Sequence, residues 1–478
     1  MRRSRVRTTR ADTARIRPAT LPVIALLVGL SGCAHRPATQ VAPPPQLADC
    51  QTRLLAADDQ AASGDQGDAA RRRVDGFPHY RQNRLLASWR DETLDAHQWA
   101  SLSAALLNLG NEARAIEAAR QGLQPDPALT KCAARLRDAD LQSPPRRAAL
   151  LARLGVADDY SQGQRLAGGY WLARPFLKAG IAGFHATMAK RFSATSGNAG
   201  QLTRYRPEPA PEAAAATNAW RIDPLGLPQL DDAQWQALAR HHAPHWWVET
   251  ATDDDRPVAP DRNADGALVT KPRAVVYWHP TLTRWGDQVL PGLVYTLWFP
   301  ARTASGAFDP YAGTLDGIVW RVVLDNDGQP LAYDSIHPCG CYHYAYPAQA
   351  LTPQPQDNPG QERVLIPQSV DGSEPLALRV SAGDHQLLRV MPATSVVSDA
   401  EQTYALRPYR ELEVGTLFDD DGLIRGTERG ERWWLWPSGV ISPGAMRQWG
   451  RHATAFIGRA HFDDPRHLER LFIPPDRP

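Results

Sequence analysis

The sequence predicts an α+β protein in which a helical N-terminal domain precedes a mostly antiparallel, sandwich-like β-rich domain. Three observations predict it. Residues 50–191 carry apolar side chains at three- and four-residue spacing, and short runs of β-branched and aromatic residues take over from Ala274. The span between them, 192–219, is rich in Ser, Gly, Pro and Ala and has little periodicity, as a linker would. With 478 residues, 43% hydrophobic and 22% charged, the chain is long enough for more than one domain and too apolar for a disordered one.

In the helical part, Trp99, Leu102, Leu106, Leu109 and Ala113 form one stripe. The segment Leu109–Ala113, with Leu123 and Pro125-Asp126-Pro127 after it, resembles one tetratricopeptide helix pair. With a single copy visible, a helical hairpin is the simpler reading. Tyr170–Lys190 is apolar but interrupted by Arg174, Pro175 and Lys178. It suits a helix packed on a neighbour, or one lying on a membrane surface. A short helix capped by Asp231 or Asp232 precedes Trp235 and Leu238.

Strands are expected at Ala274–Tyr277, Leu293–Phe299, Ile318–Leu324 and Leu331–Ile336, and again at Leu376–Val380, Gln386–Val390 and Trp433–Trp436. Asp325–Gly328 supplies hairpin-turn residues, and Ala445–Phe472 returns to helix-like spacing. Three acidic runs, Asp253–Asp255, Asp261–Gly266 and Asp419–Gly422, read as solvated turns. The second begins like a calcium loop but has Pro272 where that pattern needs a bidentate Glu.

The N-terminus reads as a leader. Residues 1–32 hold seven Arg and one Asp, and the apolar run Leu21–Leu30 is too short to span a bilayer. Removing the leader leaves 46 basic against 51 acidic residues, a net −5, which offers no bulk attraction for nucleic acid or anionic lipid. The ending Leu30-Ser31-Gly32-Cys33 resembles the bacterial lipobox, which implies that Cys33 is acylated (palmitate among the chains) and becomes the mature N-terminus. Ala34 then implies the outer membrane, on its periplasmic side. Residues 33–49 are Pro-rich and read as a tether, giving the order leader 1–32, tether 33–49, helical domain 50–191, linker 192–219 and β-rich domain 220–478. An envelope location permits a disulfide, and Cys50 with Cys132, both in the helical part, is the favoured pair.

The densest chemistry lies in Tyr333–His343. His337, Cys339, Cys341 and His343 are a complete soft ligand set for zinc or copper. Alternate residues of a straight strand are ~6.6 Å apart, so one ion could collect all four only if Pro338 and Gly340 bend the segment. Asp316 and His385 are weaker candidates to complete such a site, with Asp334 and His279 behind them. Three ligands and an open position would activate water for hydrolysis. Two alternatives stand beside the metal: Cys339 and Cys341 as a redox-active or disulfide pair, and the whole loop as packing. The Trp- and Arg-rich stretch 433–452 reads either as a ligand-stacking surface or as a packed edge. No nucleophile elbow, nucleotide-binding Gly loop or His-Glu-x-x-His is present.

The lipobox, Gly76-Phe77-Pro78, the segment Asp334-Ser-Ile-His-Pro-Cys-Gly-Cys-Tyr-His343 and Ser442–His452 together resemble a group of uncharacterised proteobacterial lipoproteins. That group implies an envelope lipoprotein and brings no known activity. Over about 45 residues, Trp298-Phe-Pro300, Asp316 before Trp320, and Ser335-Ile-His337 are ordered as in sandwich proteins similar to necrosis-inducing toxins. Gly313-Thr-Leu-Asp316 lacks that family's ion-binding His and Trp-Glu, so only the sandwich is implied. Two functions are therefore expected: a membrane-anchored lipoprotein with a metal-binding, hydrolytic β-domain, or a non-catalytic envelope protein that binds a partner protein and keeps the Cys-Gly-Cys loop for structure or redox chemistry.

Overall fold

In a computed structural model of the chain, residues 42–194, 200–209, 220–348 and 351–474 are described, and Gln40–Pro478 form one compact unit. The expected leader, Cys33 and most of the tether lie outside the described residues. The tether's last residues are not extended, because Pro45–Leu47 form a 3-10 turn that leads into the first helix.

The main helices of the N-terminal part are α1 (Ala48–Ser63), α2 (Ala96–Arg120), α3 (Pro127–Leu141), α4 (Pro144–Arg153) and α5 (Tyr170–Ser193), and the part is not all helical, since Arg72–Val74 and Phe77–Gln82 pair as an antiparallel hairpin. Asp95 opens α2 through a capping box with Gln98, and Asp126 caps α3 just before a Pro at its first position. The stripe predicted on α2 is its buried face, with Leu102, Leu106 and Ala113 fully enclosed. Cys50 on α1 is joined to Cys132 on α3 by a disulfide.

Ten strands form one sheet: β1 (Gln201–Pro207), β2 (His245–Thr250), β3 (Val275–Trp285), β4 (Gln288–Arg302), β5 (Gly313–Leu324), β6 (Pro330–Ile336), β7 (Tyr344–Pro347), β8 (Leu376–Val380), β9 (Leu387–Pro392) and β10 (Ala400–Pro408). Their spatial order is β7-β6-β5-β4-β3-β10-β1-β2-β8-β9. Strands β3 to β7 are a meander of consecutive antiparallel neighbours. The junctions β3/β10, β10/β1 and β2/β8 are parallel, so the sheet is mixed rather than mostly antiparallel. The expected antiparallel sandwich is corrected to a single curled sheet, since parallel pairing joins segments far apart in sequence and leaves no hairpin signal.

Alternation along the strands sets two faces. Leu293, Tyr295, Leu297 and Phe299 of β4 point into the main core with Ile318, Trp320 and Val322 of β5, and that core draws on all ten strands. Their neighbours Trp298 and Val319 face other buried clusters, to which residues between Tyr409 and Phe462 contribute. Covering both faces is why β4 reads as an unbroken apolar run. The helix α6 (Asp232–His241) is capped by Asp231 and lies on the core, where Tyr295 Oη donates to the Ala239 carbonyl at 2.8 Å.

Three further expectations are corrected. Within the expected linker, residues 201–207 are β1, paired on both edges by β10 and β2, while 195–199 and 210–219 lie outside the described residues. Trp433–Trp436 is not a strand: Arg432–Leu435 is a short helix running into a 3-10 turn at Trp436–Ser438, with Leu435 N donating to the Glu431 carbonyl. Ala445–Phe472 holds only one short helix, His467–Leu471, because Gly444, Gly450 and Gly458 all take positive φ and break the helical path.

Candidate functional site

At one end of the core, near the start of β5, Leu315 takes φ 58° and the next residue, Asp316, stands opposite Phe299 on the inner face. The Asp316 carboxylate is a buried hub. Its Oδ2 accepts from His385 Nδ1 at 2.9 Å, its Oδ1 faces His337 Nδ1 at 3.2 Å, and Arg429 Nη2 lies 3.3 Å from Oδ1. His385 is fully enclosed, stacked on Phe299 with ring centroids 3.9 Å apart, and its Nε2 lies 3.4 Å from Asp255 Oδ1. Asp255 also accepts from the backbone amides of Ala251, Thr252 and Gly383.

The charges in this cluster balance. Burial works against ionising Asp316, but Arg429 and the two imidazoles hold its carboxyl well below the usual range. Asp255, opposed by burial in the same way, is brought down to about 2 by His385 and its three amide bonds. Burial also disfavours a charged His385, yet the carboxylates of Asp255 and Asp316 on either side raise its pKa and favour the imidazolium between them. For His337 burial prevails over Asp316, and its pKa falls. A neutral His337 has one N–H, while Nδ1 faces a carboxylate and Nε2 faces the His385 carbonyl at 3.1 Å, so that proton has two competing acceptors.

The four clustered ligands of the sequence do not converge. His337 turns to Asp316. His343 turns away from it to Asp334, 3.4 Å off, which is paired with Arg321. Cys339 and Cys341 are free thiols in contact with each other. That contact lowers the Cys339 pKa, and with burial it raises that of Cys341. Among the described residues, no three His, Cys, Asp or Glu side chains are grouped to hold a metal ion. At Asp316 the cationic position is taken by the Arg429 guanidinium. As placed, His337, Cys339, Cys341 and His343 do not form one ligand set.

The loop carrying these residues is tightly closed. His337 N donates to the Cys341 carbonyl at 2.9 Å and Gly340 N to the His337 carbonyl at 2.8 Å. Gly340 sits at φ 92°, and a Cβ there would lie 2.2 Å from the Ala453 carbonyl oxygen. Gly340→Ala is expected to cost more than about 1 kcal/mol, read as a lower thermal midpoint. Tyr342 and His385, at φ 63° and 48°, are further positive-φ residues beside the cluster.

What this frame holds in place is a wall. Residues on either side of the enclosed His337 and His385, including Cys341, Tyr342, Tyr344, Asp384 and Gln386, line a cavity of about 620 Å³. Its roof is α5, whose Ala173, Leu177, Ile181, Phe184 and Met188 recur at helical spacing and face inward. Arg191 fastens the roof through a two-pronged pair with Asp384, at 2.6 and 3.2 Å. At the floor, Arg302 Nη1 donates to Tyr342 Oη at 3.0 Å. Glu431 and Glu362 also border the cavity, and burial pushes each of them up to about 7.

Sequence reasoning expected the helix over Tyr170–Lys190 but not the cavity beneath it, and it missed Asp255. Nothing in Asp253–Asp255 distinguishes the one buried carboxylate from its exposed neighbours. No family model, curated protein or solved structure matches the chain.

Proposed function

We propose that the protein is a lipid-anchored envelope lipoprotein, held through Cys33, whose β-rich body binds an elongated apolar ligand with an anionic head. The observation that carries this reading is the cavity beneath α5. Its volume, about 620 Å³, is that of a small-molecule site, with an apolar roof and a few convergent polar groups at the floor. An acyl chain suits the roof, and a carboxylate or phosphate suits Arg302. The His337–Asp316–His385–Asp255 cluster is sealed from the cavity and acts as the frame that holds the floor. The metal-dependent, hydrolytic reading is not carried forward, because its ligands are distributed over separate networks.

The test is titration of the purified protein with a fluorescent long-chain fatty acid. One ligand per chain is expected. Gly180 lines the cavity and has open space where a Cβ would stand, so Gly180→Phe fills the cavity and abolishes binding while leaving the fold intact. Below pH 7 Glu431 and Glu362 become neutral, which leaves Arg302 less opposed. Affinity should therefore be several-fold higher at pH 6 than at pH 8. No saturable binding, or binding indifferent to Gly180→Phe, would sink the reading.

A further inference from the structure

We propose that the outward face of α5, with the short helix Arg432–Leu435 beside it, seats on an anionic phospholipid bilayer around the mouth of the cavity. While the inward face of α5 roofs the cavity, Trp171 and Leu172 on its outward face are 74% and 58% exposed, and Phe176 at the cavity's edge is 80% exposed. Trp433 and Trp434 are 69% and 52% exposed. The two segments adjoin. A Cβ on Gly168 would lie 2.8 Å from Pro437, and Phe176 and Trp434 line the same cavity. One exposed aromatic is ordinary, whereas five large apolar side chains around one opening mark a binding surface.

Charge selects the occupant. From Gln162 to Ala194 the chain has no Asp or Glu but carries Arg165, Arg174, Lys178, Lys190 and Arg191, the last of them paired with Asp384, in a mature protein of net −5. Lys178 and Lys190 are two of only four lysines in the sequence, and both are exposed. Cations flanking Trp, Leu and Phe on one helix are the chemistry of the headgroup boundary, where aromatic rings sit at the interface and lysines meet lipid phosphates. No helix among the described residues is long and apolar enough to cross a membrane, so α5 lies on the surface. The proposal also rests on the anchor at Cys33: eight residues separate it from Ala42, and a chain of that length reaches at most ~30 Å. The body is thereby kept against the membrane, and a ligand can enter from the bilayer.

The test uses the chain from Ala34, which lacks the acylated residue and contains the whole unit Gln40–Pro478. It should sediment with vesicles of 30% phosphatidylglycerol in phosphatidylcholine, much less with phosphatidylcholine alone, and release as salt rises. The triple variant Trp171→Ser, Leu172→Ser, Trp433→Ser should lose about tenfold or more in partitioning. Its thermal midpoint should stay unchanged, and so should its fatty-acid binding from solution, since none of the three lines the cavity. Conversely, Gly180→Phe should abolish the ligand and keep the vesicles, which separates failure of this proposal from failure of the cavity reading. Absence of sedimentation at low salt, or a triple variant bound as well as the parent, would overturn it. A soluble dimer dissolved by the same substitutions would also overturn it, by making a second copy the occupant.

Discussion

Asp316→Ala is expected to remove about 3–5 kcal/mol of stability, because it strips the shared anion from buried cations. Arg429 and His385 are 3% and 0% exposed. Without Asp316, His385 keeps only Asp255, and the Arg429 guanidinium keeps only backbone carbonyls such as that of Leu315. An exposed pair such as Arg407–Glu411 should by contrast be worth less than about 1 kcal/mol. Urea unfolding at pH 7 measures both, and a loss below about 1 kcal/mol for Asp316→Ala would refute its role as the hub. The pH dependence follows from the signs. Asp316 and Asp255 have lowered pKa values, so their contribution is complete above the unfolded carboxylate range near 4 and is lost as pH falls through the folded values, about 2 for Asp255. His385 has a raised pKa, so its contribution is complete below about 6.5 and is lost as pH rises through its folded value. The parent should lose stability on both sides of this window, and the variant should show a flatter profile.

The second large effect concerns the bridge Cys50–Cys132, which closes a loop spanning 82 positions. Chain-entropy reasoning gives about 4 kcal/mol for a loop of that length. The bridge joins α1 to α3 beside Leu54, Ala133 and Leu136, so its loss loosens the core of the helical layer. Replacing both cysteines by Ala should move the denaturant midpoint of the helical circular-dichroism signal well below that of the oxidised protein. Coincident curves would show that packing alone fixes these helices.

Legibility in the sequence followed the locality of the signal. Strands β3 to β6, β8 and β9 could be read because burial on one or both faces demands β-branched and aromatic runs. Strand β10 (AEQTYALRP) and β1 (QLTRYRP) could not, since their outward positions carry Arg, Glu and Gln and their partners lie about 200 residues away. Trp433–Trp436 imitates a strand because aromatic residues favour sheets, yet its indoles project outward from a helical turn. At the site, His337, Asp316 and His385 stood out as polar residues beside turns or glycines in apolar surroundings. Their grouping was not legible, because sequence spacing shows which donors are near in the chain and not which groups the fold places beside each of them. The cationic partner, Arg429, comes from more than 40 residues beyond His385.

Strand β10 has a consequence for how the molecule is made. It alone joins the five-stranded meander β3–β7 to the four strands β1, β2, β8 and β9, and it is the last of the ten to be synthesised. A chain delivered N-terminus first must hold two half-sheets with open edges, at β3 and at β1, until residue 408 arrives. Such a late, long-range closure means high contact order and slow assembly, with the aggregation risk concentrated in the interval before it. Any truncation upstream of Ala400 should therefore leave two unfinished halves, each with a sticky edge, rather than a smaller folded protein.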